Sequence, residues 1–130
     1  VIHIKGEELE FTPASHEDPK DPGALKKILL GKGALPANGS IMMVNWAKIP
    51  AGKSFSLHYH EDMYEVFTFI SGTGEMSVGA ENAFVSSGDC VLVPPKTPHK
   101  LKNTSSLEDI HYIVFGVSYG EGGKTVVLRG

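Results

Sequence analysis

The sequence predicts an all-β protein, a sandwich or closed barrel of short strands joined by turns. Two observations predict it. The 130 residues include 15 glycines and 8 prolines spread at short intervals, which keeps regular elements short. No long stretch repeats its apolar residues with the helical period, while the runs between breaks read as strands. The elements follow in order. Residues 1–4 open as a strand. Residues 12–23 are rich in Pro, Asp and Ser and read as a polar loop. Residues 24–30 fit one helical turn or a strand; the strand is favoured because Gly31 and Gly33 cut the run short. Asn38-Gly39 signals a tight turn. Residues 41–49 then form a strand with apolar groups on both faces. Further strands fall at 55–60, 65–70, 74–78, 90–93, 99–102 and 110–118, with Gly72, Gly79 and Gly88 at the breaks.

Composition narrows the function classes. The length suits one domain, expected to span 1–130, with N-terminal strands and a covering loop over 1–50, a barrel core over 51–118 and a tail over 119–130. Hydrophobic residues make up 41% and charged residues 21%, as in ordinary globular proteins. A net charge of −3 gives no pull toward nucleic acid or anionic lipid. No apolar run approaches a membrane span. Val1–Ile4 is followed at once by Lys5 and acidic residues, so no secretory leader is expected. Cys90 stands alone, which excludes an internal disulfide and fits a reducing compartment. A cytoplasmic location is the expectation.

Four residues carry the chemistry. His58 and His60 are two apart, so on a strand both imidazoles lie on one face. Glu65 follows after a short polar break, and His99 comes from a later strand. Three imidazoles and one carboxylate make a mixed N/O set, suited to iron, manganese, nickel, copper or zinc rather than calcium or magnesium. Parity places Glu65, Phe67 and Phe69 on one face and Val66, Thr68 and Ile70 on the other. Both faces are apolar, so the outer one needs a cover from the N-terminal strands or a second subunit; a homodimer is expected. Tyr112 has inward parity and His111 outward. Met42, Met43 and Trp46 read as packing residues. Cys90, in an apolar run, reads as a buried inert thiol. Neither a Ser-His-Asp set nor a phosphate loop is evident; Gly72-Thr73-Gly74 lacks the lysine and the helix that a phosphate loop needs.

Two stretches resemble the paired motifs of the cupin superfamily. The first motif, G-x5-H-x-H-x4-E-x6-G, is met in full by Gly52, His58, His60, Glu65 and Gly72. The second, G-x5-P-x-G-x2-H-x3-N, is met by Gly88, Pro94, His99 and Asn103, with Lys96 in place of its middle glycine. The motifs cover residues 52–103, about 40% of the chain. The resemblance implies a jelly-roll barrel, with His58, His60, Glu65 and His99 converging inside it on one divalent transition metal. Four ligands in an octahedral shell leave about two positions open. Three readings remain at this point: an oxygen-using oxidoreductase, favoured; a non-redox decarboxylase or isomerase; and a non-catalytic module binding a small ligand or metal. Tyr112 is the candidate for positioning a small-molecule substrate by its hydroxyl. With Arg129 the single arginine, a polyphosphorylated ligand fits poorly and a small neutral or monoanionic one better.

Overall fold

The computed structural model describes residues 2–128 apart from 24, 32 and 121–123. Val1 and Ala24, at the ends of expected strands, and Arg129 therefore lie outside the described residues. The strands run β1 (Ile2–Lys5), β2 (Thr12–Pro13), β3 (Leu25–Lys26), β4 (Ser40–Ile49), β5 (His58–His60), β6 (Met63–Ser71), β7 (Gly74–Val78), β8 (Glu81–Val85), β9 (Asp89–Val93), β10 (His99–Asn103), β11 (Ile110–Ser118) and β12 (Thr125–Val127), with one 3-10 turn at Gly6–Glu8. They form two five-stranded antiparallel sheets, ordered β1-β9-β6-β11-β4 and β12-β5-β10-β7-β8, and a small β2-β3 ladder. The core lies between the two large sheets. Phe67, Phe69, Val91, Tyr112 and Val114 from the first meet Met76, Val78, Val85 and Leu101 from the second. This is the expected all-β architecture, a double-stranded β-helix closed by apolar packing.

Alternation explains which face each strand buries. On β6, Glu65, Phe67 and Phe69 point inward and are buried. Val66 is also buried, on the outer face, where Ile4, Leu29, Leu30, Leu35, Tyr64 and Phe115 pack with Val66, Cys90 and Leu92. The N-terminal segment thus covers the outside of β6 and β9. The 24–30 run is strand only at Leu25–Lys26. The rest crosses the sheet and spends Leu29 and Leu30 on its apolar outer face instead of on a ladder of its own. His3 ties β1 down by a 2.7 Å contact between its Nε2 and Asp89 Oδ2.

Other departures have local causes. Residues 55–57 are not in β5, because the chain turns Phe55 into the core beside Phe67, at 6.3 Å between ring centroids. β8 has no counterpart in the sequence reading: it begins with exposed polar Glu81 and Asn82, and its Phe84 is exposed. Its pairing with β7 makes it a strand, across a turn where Gly79 takes φ 60°. β12 sits in the expected tail and pairs with β5, Thr125 opposite His60. Trp46 and Met42 are not packing residues within this chain. Trp46 is 70% exposed and Met42 45%, because both point outward from β4, the edge strand of its sheet.

Candidate metal centre

His58, His60, Glu65 and His99 come from three strands of two sheets. β5 supplies His58 and His60 on its inward face, β6 supplies Glu65, and β10 supplies His99 directly opposite His58 in register. One donor atom from each lies within 4.8 Å of every other. Glu65 Oε1 is 2.8 Å from His60 Nε2 and 2.9 Å from His99 Nε2. Two donors about 2.1 Å from one ion and at right angles would stand about 3.0 Å apart, so this spacing fits a shared transition metal. His60 Nε2 is buried and makes no hydrogen bond, since its contact with Glu65 is off-axis. A buried polar atom without a partner is costly, and a metal ion would satisfy it. The cluster can therefore bind a metal.

The far sides of the rings are held as well. His58 Nδ1 lies 2.6 Å from Ser56 O, and His99 Nδ1 lies 3.0 Å from Thr97 O. A carbonyl only accepts, so both rings carry a proton on Nδ1, and Nε2 is the nitrogen that a metal would take. His60 Nδ1 faces a hydroxyl instead, Thr125 Oγ1 at 3.0 Å.

Electrostatics follow from burial in this cluster. Burial pushes the Glu65 carboxyl up, but the His60 and His99 rings more than offset it and hold it down at about 2. His58 is lowered from its ordinary value, chiefly by burial, partly opposed by the Ser56 carbonyl. Both shifts act in one direction. A folded pKa below the unfolded one gives stability that is present above the unfolded pKa and lost as pH falls toward the folded one. Metal-free protein is thus expected to lose stability as pH drops below 6.5, through His58, and again from 4.5 toward 2, through Glu65. Urea midpoints taken from pH 8 to pH 3 check this; a flat profile would contradict it.

Lys96 settles the question raised by the missing motif glycine. It takes φ 61°, and its N–H donates to His60 O at 2.7 Å. The turn before His99 keeps its shape with a strained lysine. Lys96→Gly is expected to relieve this by up to ~1 kcal/mol, a rise of about 3 °C in the unfolding midpoint. A lowered midpoint in calorimetry would show that the lysine side chain stabilises the turn. Asn103, the last motif position, does not reach the cluster. Its amide donates to Ile49 O and Glu108 O and closes the following loop.

Tyr112 faces inward as its parity predicts and is 6% exposed. Its ring packs against Phe67 and Phe69, at 5.6 and 6.0 Å between centroids. In register it stands opposite Phe69, two inward positions along β6 from Glu65. Burial, then the charge of Glu65, pushes its hydroxyl up to about 12, so it stays a neutral donor. Cys90 is buried on the outer face, and burial beside Asp89 pushes its thiol up to about 11, leaving it inert.

Residues 45–116, more than half of the chain, match the family model of the cupin domain. The chain belongs to the cupin family. An uncharacterized protein of Methanocaldococcus jannaschii is 36% identical to this cupin over 61 residues, which are 47% of this chain and 49% of that protein. The chain thus matches about half the length of that relative. Among solved structures, a conserved double-stranded β-helix protein of Klebsiella pneumoniae superposes with a TM-score of 0.58 at 20% identity, covering 74% of this cupin and 90% of that chain. Oxalate decarboxylase of Bacillus subtilis superposes with a TM-score of 0.54 at 22% identity, covering 65% and 23%. At such identity these structures share the fold alone. No helix among the described residues is long and apolar enough to cross a membrane.

Proposed function

We propose that this cupin holds one divalent transition metal on His58, His60, Glu65 and His99 and acts as a small oxygen-using oxidoreductase on an uncharged organic substrate. The single observation that carries the metal assignment is the buried, unpartnered His60 Nε2 set among three other donors. Iron, manganese, nickel, copper and zinc all suit such a set. A metal there would supply redox or Lewis-acid chemistry at the positions its protein ligands leave open.

The chain's own residues define what could sit beside it. Phe55, Phe67, Phe69, Val93 and Val114 make the interior apolar, which excludes water and favours an uncharged guest. No lysine is among the buried described residues, so no side-chain cation there would join a bound metal in neutralising a phosphate or dicarboxylate. The Tyr112 hydroxyl, a neutral donor on the inward face, would hold one oxygen or nitrogen of the substrate and orient it. Glu65, as a ligand, is not free to move protons, and the interior offers no second carboxylate among the described buried residues; Asp89 lies with His3 at the β1–β9 pair. That favours oxidation over decarboxylation or isomerisation, which need an acid or base. The partner we assign is a second copy of the chain, joined across β4.

Oxygen uptake by iron-loaded and copper-loaded protein, against a panel of thiols, catechols, diketones and small acids, tests the reading. Uptake is expected with an uncharged member of the panel. No uptake, with tight binding of a small ligand, would assign a binding module. Oxygen-independent release of carbon dioxide from manganese-loaded protein would assign a decarboxylase.

A further inference from the structure

We infer that Thr125, on the C-terminal strand β12, is a positioning residue that sets the metal affinity of the centre through His60. The inference rests on the metal reading above. Three observations converge on it. Thr125 is directly opposite His60 in the β12–β5 ladder, and its Oγ1 lies 3.0 Å from His60 Nδ1. His60 is the ligand whose Nε2 is buried and unpartnered. The other two imidazoles are backed by main-chain carbonyls, from Ser56 and Thr97, whereas this one is backed by a side chain and so by a residue identity.

The chemistry of a hydroxyl differs from that of a carbonyl. A hydroxyl can accept from Nδ1–H, which puts the lone pair on Nε2 for a metal. It can also donate to a bare Nδ1, which lets Nε2 carry the proton and face the Glu65 carboxylate 2.8 Å away. Thr125 therefore supports His60 in both tautomers, while His58 and His99 are held in one. The metal-free cluster can thus keep a proton on the ring facing the Glu65 carboxylate, and the metal-bound one keeps a ring aimed by its partner. Groups that hold the far nitrogen of a ligating histidine commonly change metal affinity by about 10–100-fold when removed. The contact also makes the centre depend on β12. That strand is fastened to β5 by three paired residues, by Glu61 N–H donating to Lys124 O at 3.0 Å, and by Leu128 N–H donating to Leu57 O at 2.9 Å.

The test uses the full chain and cobalt(II) as the probe. Thr125→Val replaces the hydroxyl with a methyl of equal size; Thr125→Ser keeps the hydroxyl. The expected result is one cobalt per chain in all three proteins, with affinity reduced about tenfold or more in Thr125→Val and restored to within a few-fold in Thr125→Ser. Equal affinity in Thr125→Val and the parent would overturn the inference while leaving the metal reading standing. A second measurement separates the two. Ring nitrogen shifts of the metal-free protein, read by long-range proton–nitrogen NMR, are expected to move for His60 in Thr125→Val and to stay in place for His58 and His99. Such a confined change would uphold the positioning role even if the parent took up no cobalt, an outcome that would sink the metal reading. Unchanged His60 nitrogens, or equal movement of all three rings, would overturn the role and leave Thr125 a merely structural residue.

Discussion

Replacing His58 and His60 together with alanine is expected to abolish stoichiometric metal while leaving the strand content intact. The two substitutions remove two of four donors, and the remaining pair, Glu65 and His99, would be an ordinary hydrogen-bonded contact at 2.9 Å. The fold does not depend on either ring. The main apolar cluster is built from Ile49, Phe67, Phe69, Met76, Val91, Leu101, Ile110 and their neighbours and includes neither histidine. β5 is held by main-chain pairing to β10 and β12, which alanine preserves. Some stability would be lost, because Glu65 is 5% exposed and would keep only one ring to offset its burial. Metal content, measured on protein without a histidine tag, and circular dichroism read the two effects separately. A full metal complement in the double variant would mean that the ligands lie elsewhere.

The legible and illegible parts of this chain divide along physical lines. The spacing of His58, His60, Glu65 and His99 survives as geometry, because strand parity and short glycine turns transmit directly into side-chain direction. Gly72 is an example: it takes φ 87°, and a Cβ there would meet Asp109 O at 2.5 Å. β6, β9 and β11 were readable because they are apolar on both faces and so unlike loop. β8 and β12 were not, since each owes its conformation to a neighbour: β8 to β7 through the Gly79 turn, and β12 to β5. Thr125 was missed with β12. Its only sequence signal is a hydroxyl within the short β-branched run Thr125-Val126-Val127, and its importance depends on a partner 65 positions earlier. The 24–30 segment is ambiguous because an apolar run fits a strand and a surface cover equally well, and only the apolar outer face of β6 and β9, which needs a cover, decides between them. Lys96 shows a departure from a motif that costs strain but not shape.

Two lysines placed on the outer face of β4, Val44→Lys with Trp46→Lys, are expected to turn a dimer into a monomer. β4 is the last strand of its sheet, ten residues long, and among the described residues one side of its backbone has no neighbouring strand. Its outward side chains are apolar: Val44 is 63% and Trp46 70% exposed, with Met42 in the same row. The N-terminal segment that covers β6 and β9 is not packed over this row. A long, nearly uncharged edge of this kind is a template for further pairing. Pairing two copies of β4 antiparallel about a two-fold axis would close that edge, whereas any head-to-tail arrangement would propagate. The self-pairing also opposes few like charges, since Lys48 is the one charged residue of the strand and lies near its end. Light scattering at micromolar concentration is expected to give about twice the 14.0 kDa chain mass for the parent. Truncating a central aromatic anchor commonly costs ~2 kcal/mol or more, and a two-fold interface carries each substitution twice, so association should weaken about a thousandfold. The substituted side chains are exposed in the single chain, so the variant should keep its strand content and unfolding midpoint. A parent that is already monomeric would sink the dimer and leave the outer face of β4 open to a different protein. A double-lysine variant that remains dimeric would move the interface off this strand.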